Sequence, residues 1–185
     1  VFSLEYAKSL SDECVKQNCT CKIHIKVDTG MSRIGFMCQQ FPRDDYSIKE
    51  ILEVCNLPNL SLEGLFTHFC VSDEAEEGRE FTQRQYQNLI YAKNAIQSNG
   101  INIKYVHCSN SGAIEDYPDT YCDMVRAGII LYGLSPSRKL CGKLDLIPAM
   151  TLKTTVAYVK NLKKGSDISY GRTFTAPKDM KIATV

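Results

Sequence analysis

Seven polar residues stand where apolar stretches of this sequence give way to turns: Lys26, Asp28 and Arg33, then His68, then Asn110 and Ser111, then Arg126. Their types can move protons and hold anions. Taken singly, each has an ordinary reading. A histidine at a strand end is usually a hydrogen-bonded structural residue, an arginine a surface or ion-pair residue, and Asn-Ser-Gly a turn. Where strands alternate with helices, however, reactive groups gather at the C-terminal ends of the strands. Successive strand ends that all carry such groups would open into one mouth.

The elements that must position them are readable from hydrophobic periodicity. Leu4, Ala7, Leu10 and Cys14 recur at steps of three and four, predicting a helix. Lys22 to Val27 alternates as a strand and stops at Asp28-Thr29-Gly30. A second helix has Ile48, Ile51, Leu52 and Cys55 on one face, and Leu60 to Phe66 is a second strand ending before His68. The longest helix spans about Gly78 to Ser98, with Tyr86, Leu89, Ala92 and Ile96 as its stripe. Further strands are expected at Ile103 to His107 and at Asp123 to Arg126.

This alternation predicts βαβ units and a parallel sheet, as in a (β/α) barrel or an open doubly wound sheet. No GxGxxG follows a strand, which weakens the dinucleotide-binding version of the open sheet. After Pro148 the pattern changes. Thr151 to Lys160 alternates, Lys163-Lys164-Gly165 makes a turn, and short strand-like pieces follow near Ile168, Thr173 to Thr175 and Lys181 to Val185. The expected organisation is a partial barrel over 1–147 and the start of a mainly antiparallel β domain over 148–185.

Composition narrows the function classes. The 185 residues are 44% hydrophobic and 23% charged, enough for a sizeable core. With Lys+Arg 22 against Asp+Glu 21, the net charge of +1 gives no case for nucleic acid or an anionic membrane. No signal peptide or membrane span is visible, and a cytoplasmic location is expected. The nine cysteines form no CxxC pair, and Cys19-Thr-Cys21 is too close for a zinc knuckle, so no metal site is expected. They read as reduced thiols, mostly in apolar surroundings.

Five blocks carry a family resemblance: HIKVDTGMSRIGF (His24 to Phe36), LEGLFTHFCVSDE (Leu62 to Glu74), HCSNSG (His107 to Gly112), MVRAGIILYGLSPS (Met124 to Ser137) and ISYGRTF (Ile168 to Phe174). In content, order and spacing they resemble bacterial alanine racemases, the fold-type III pyridoxal-phosphate enzymes. The resemblance implies the second half of a (β/α)8 TIM-type barrel followed by the start of the β domain. It also implies interconversion of L- and D-alanine by two-base proton transfer at Cα, which supplies D-alanine for peptidoglycan.

The resemblance assigns roles residue by residue. Arg126 would bond the pyridine nitrogen of pyridoxal 5'-phosphate and leave it unprotonated, a weak electron sink suited to reprotonation. His68 would bridge Arg126 to the catalytic tyrosine, which resembles Tyr170. Ser111, with the backbone N–H groups of Gly128 and Ile129, would cradle the phosphate. Arg33 would lie beside the phenolic oxygen and the substrate carboxylate, and Asn110 would support Arg126. Lys26 matches a position carbamylated in some members, an anionic partner for Arg33. A phenol with a pKa near 10 needs such a setting to act as a base. The tyrosine would act in the neighbouring subunit of a head-to-tail homodimer.

The Schiff-base lysine of such enzymes lies in a Val-Val-Lys-Ala-Asn-Ala-Tyr-Gly-like stretch that does not occur here, so it is expected outside these residues. The 185 residues alone are expected to be inactive, since half a barrel would expose sheet edges. A serine or broad-spectrum racemase, and a non-catalytic pyridoxal-phosphate-binding barrel, are alternatives on the same fold. The β-type residues after Thr151 and the Ser-Tyr-Gly motif argue against the second of these.

Overall fold

The computed structural model describes residues 1–39 and 45–185 and divides into two compact units, Val1–Ala149 and Met150–Val185. The first unit is built from α1 (Leu4–Lys16), β1 (Cys21–Asp28), β2 (Phe36–Met37), α2 (Asp45–Cys55), β3 (Leu60–Phe66), α3 (Arg79–Ser98), β4 (Tyr105–His107) and α4 (Ser111–Asp116). Its strands form one four-stranded sheet of order β2-β1-β3-β4, and every pairing is parallel. The expected α/β alternation is therefore what forms.

Helix α1 begins where Ser3 accepts the Tyr6 N–H at 3.2 Å, a side-chain cap on a donor the helix cannot satisfy. The core lies between the sheet and α1, α2 and α3. Ile23, Ile25 and Val27 of β1 and Leu65 of β3 meet Ile51, Val54, Leu89, Ala92 and Ile96 there. These alternate residues face the helices, so Lys26 and Asp28 are left at the opposite face and the end of β1. The register pairs Lys26 with Phe66 and Phe66 with His107, bringing three strand ends level.

One expectation for the first unit needs correction. Asp123 to Arg126 is not a strand. It runs beside β4 on two backbone bonds, Asp123 N–H to the Val106 carbonyl and Arg126 N–H to the Ser109 carbonyl. The Asp123 carboxylate takes the Val106 N–H at 2.7 Å, a donor that a ladder carbonyl would otherwise receive. The expected stripe of α3 reaches the core, Leu89, Ala92 and Ile96 fully and Tyr86 partly buried against it, and it is joined by the buried polar residues Thr82, Gln85 and Asn88. Of the nine free thiols, Cys14 and Cys108 are buried, Cys21, Cys38 and Cys55 are partly buried against the core, and Cys19, Cys122 and Cys141 are exposed.

The second unit holds β5 (Tyr158–Leu162), β6 (Asp167–Ile168), β7 (Phe174–Thr175) and β8 (Met180–Thr184). Both of its pairings, β5 with β8 and β6 with β7, are antiparallel. The strand expected from Thr151 forms only from Tyr158, because β8 supplies partners for Tyr158–Leu162 alone. Among the described residues, no helix is long and apolar enough to cross a membrane.

Candidate active site

Polar contacts tie down the ends of β1 and β3. After β1, Asp28 Oδ1 accepts the N–H groups of Gly30, Met31 and Ser32 at 3.1, 3.1 and 3.0 Å, folding the turn back on the carboxylate. The Thr29 and Thr67 hydroxyls meet at 2.7 Å, and Thr67 Oγ1 donates to the Val27 carbonyl at 2.8 Å. Gln85, fully buried on α3, donates to Thr29 Oγ1 and the His68 carbonyl and accepts the Cys70 N–H. One amide thus joins the ends of β1 and β3.

Arg126 is the centre of the site. Its Nη1 donates to His107 Nδ1 at 2.7 Å. Its Nη2 faces the carbonyls of Thr67 (2.8 Å) and Cys108 (3.1 Å) and His68 Nδ1 (3.3 Å). Nη2 carries two hydrogens for these three acceptors, so the longest contact, to His68, is a shared one. The guanidinium carbon lies 5.6 Å from the Phe66 ring centroid, in a cation–π contact. The Nε–H has no partner among the described residues.

A guanidinium has no lone pair to offer, so both imidazoles must present unprotonated Nδ1 atoms to it. Burial, reinforced by Arg126, Lys26 and Arg33, pushes His68 down to about 4. Burial, then Arg126 and His24, pushes His107 down to about 4 as well. Both rings are therefore neutral near pH 7, each with its proton on Nε2. Lys26 is 4% exposed, and burial against the charges of Arg126 and Arg33 lowers it to about 8 despite Asp28.

A cleft of about 380 Å³ is lined by His68, Arg126, Asn110, Ser111, Gly128 and Ile129, together with Met31, Phe69, Cys70, Asp73, Gly112 and Pro136. Six residues expected from the sequence thus share one wall system. Ser111 Oγ accepts the Gly128 N–H at 3.0 Å, and among the described residues its own proton has no acceptor, which leaves it for an anion. Gly112 permits close approach, since a Cβ there would sit 3.0 Å from the Ser72 and Asp73 backbone.

Asn110 differs from its expected role. Its Oδ1 accepts the Ala113 N–H and the Ser72 hydroxyl, and its Nδ2 donates to the Phe69 carbonyl. It caps α4 and fixes the loop after β3, with no bond to Arg126. Arg33, exposed on the turn after β1, and Lys26, buried near the end of β1, are both outside the cleft lining. Tyr170 belongs to the second unit, where it is 98% exposed at the β6–β7 hairpin. Ser169, Gly171 and Arg172 around it all have positive φ, and Arg172 pairs with Asp167.

His107, Thr67 and Gln85 were not among the expected site residues. The signal for Gln85 was its place four residues before Leu89 and seven before Ala92, on the buried stripe.

Residues 1–136 match the family model for the alanine racemase N-terminal domain, and residues 149–185 match that for the C-terminal domain. The chain belongs to the alanine racemase family. It is 47% identical to an alanine racemase of Clostridium perfringens over 100% of this chain and 46% of the relative. An alanine racemase structure from Clostridium difficile 630 superposes with a TM-score of 0.76 at 38% identity, over 99% of this chain and 46% of that one. Another, from Streptomyces coelicolor A3(2), gives 0.79 at 27% identity, over 99% and 47%. The chain therefore spans just under half the length of these alanine racemases.

Two outcomes test the site. In Gln85→Leu the Cys70 N–H and the His68 carbonyl lose their buried partner, at about 1–3 kcal/mol for each group left unpaired. Urea unfolding of the variant should show that loss. The second outcome concerns pH. An unfolded histidine takes a proton near pH 6.5, whereas folded His68 and His107 stay neutral to about 4. In that window the unfolded state binds more protons, so stability falls as pH drops from 6.5 toward 4. The urea midpoint should be lower at pH 5.5 than at pH 7.5, and the gap should narrow in His68→Gln.

Proposed function

We propose that this chain is the central portion of a pyridoxal-phosphate-dependent alanine racemase. Its first 147 residues would be the second half of a (β/α)8 barrel, and 148–185 the start of the β domain. The carrying observation is Arg126, bonded only to acceptors and flanked by neutral His68 at the wall of the cleft. The family membership and the shared cleft of six expected residues support the same reading.

The residues fit the cofactor. The Nε–H of Arg126 and the hydroxyl proton of Ser111 have no partner among the described residues; the first suits a ring nitrogen, and the second, with the N–H of Ile129, a phosphate. Pyridoxal phosphate, when bound, supplies an electron sink that loosens the proton on the α-carbon of an amino acid. Arg126 would orient the ring nitrogen without giving up a proton, since a guanidinium does not deprotonate in proteins. That restraint favours simple return of a proton to Cα. The Nε2–H of His68 would meet the partner subunit's Tyr170, holding its phenolic oxygen ready to exchange the Cα proton on one face. A lysine outside these residues would serve the other face. The 98% exposure of Tyr170 supports a phenol that works in a head-to-tail neighbour.

Lys26 would carry a carbamate. Its amine, lowered to about 8, is partly neutral near pH 7 and can add to the carbon of CO2, releasing one proton. The anion formed would be held among Arg126 and Arg33, the cations that disfavour the ammonium form.

The full-length, cofactor-loaded protein should turn over L-alanine faster than L-serine, and Tyr170→Phe should lower kcat by at least about 100-fold. Retained turnover in that variant would remove Tyr170 from the mechanism, and faster turnover of serine would favour a serine racemase. In 13C-bicarbonate, the wild-type protein should show a carbamate resonance that Lys26→Met lacks. Its absence from wild type would return Lys26 to an ordinary amine.

A further inference from the structure

We propose that His24 is a positioning residue for Arg126, acting through the tautomer of His107. His107 Nδ1 receives the Arg126 Nη1 donor, so the proton of this neutral ring sits on Nε2. That Nε2 lies 2.8 Å from His24 Nδ1, which must then be the acceptor. A proton moved to His107 Nδ1 would face the guanidinium donor to donor. The lone pair of His24 is what favours the other arrangement. Nη2 has backbone carbonyls to hold it, but the acceptor of Nη1 among the described residues is His107.

The sheet is shaped around this contact. His24 pairs with Gly64 at a register shift that follows Ile23. A Cβ at position 64 would lie 2.5, 2.6 and 2.8 Å from Nδ1, Cε1 and Cγ of the His24 ring, so a side chain is missing where the ring must lie. His107 is stacked on Phe66, with centroids 4.9 Å apart and planes 11° apart. His24 stacks on Tyr105 at 6.2 Å. The stacks hold the planes of both rings, and the bonds from His107 to Arg126 and to His24 fix which edge carries the nitrogens. The line His24–His107–Arg126 thus carries an acceptor on β1 to a donor at the cleft wall.

The affinity part of the test rests on the proposed pyridoxal-phosphate reading, while the tautomer part does not. The full-length protein, freed of cofactor and 15N-labelled at histidine, should show His107 protonated at Nε2 and bare at Nδ1. His24→Phe fills the same space without an acceptor. It should convert His107 to a mixture of tautomers and weaken pyridoxal phosphate binding about tenfold, read by absorbance titration. His24→Asn places Oδ1 where Nδ1 stood and should bring affinity back to within about threefold of wild type. A His107 proton on Nδ1 in the wild-type protein would overturn the proposal, even if His24→Phe failed to fold. So would equal behaviour of the Phe and Asn variants. Failure of the wild-type protein to bind pyridoxal phosphate would instead overturn the cofactor reading and leave the tautomer result to decide the role of His24.

Discussion

A guanidinium can only donate, and every group around Arg126 is arranged to accept. The carbonyls of Thr67 and Cys108 stand at the ends of β3 and β4, and the imidazoles of His68 and His107 turn bare nitrogens toward the same charge. This single demand explains much of the local architecture. Two histidines must be neutral, which burial beside a fixed cation ensures. The strand ends must be level, which the parallel register provides. The segment carrying Arg126 must lie against β4, which Asp123 and the Ser109 carbonyl secure.

The apolar skeleton was legible because burial imposes a period. Alternation in Lys22 to Val27 and Leu60 to Phe66, and the steps of three and four in the helices, reflect faces that must reach one core. What escaped was decided by single polar contacts. Nothing in periodicity distinguishes Asp123 to Arg126 from a strand until the Asp123 carboxylate is seen to occupy the Val106 N–H. The ten-residue alternation from Thr151 marks a willingness to be a strand, but a strand also needs a partner, and β8 offers one only from Tyr158 onward. The short β2 and α4 lie below the length at which a period can be read.

The candidate site divides along similar lines. Strand-end polar residues suggested a common mouth, and the family blocks supplied roles that residue types alone could not. His107 hid because it sits one step past an apolar valine and reads as the end of a strand. Gln85 hid because a buried amide on an apolar stripe looks like a surface residue until its three partners are known. Asn110 was visible but for the wrong reason: a helix cap and a ligand support share the same chemistry of a short side-chain amide.

The order of the acceptors along the chain has a consequence for biosynthesis. Arg126 donates to the carbonyl of Thr67 across a sequence separation of 59, and Thr67, His68, His107 and Cys108 all precede it. A polypeptide leaving the ribosome therefore completes the ring of acceptors first and receives its cation last. Until then the imidazoles lack one of the charges that, after burial, lower their proton affinity. The arrival of one side chain thus converts a set of separate strand ends into a single polarised pocket.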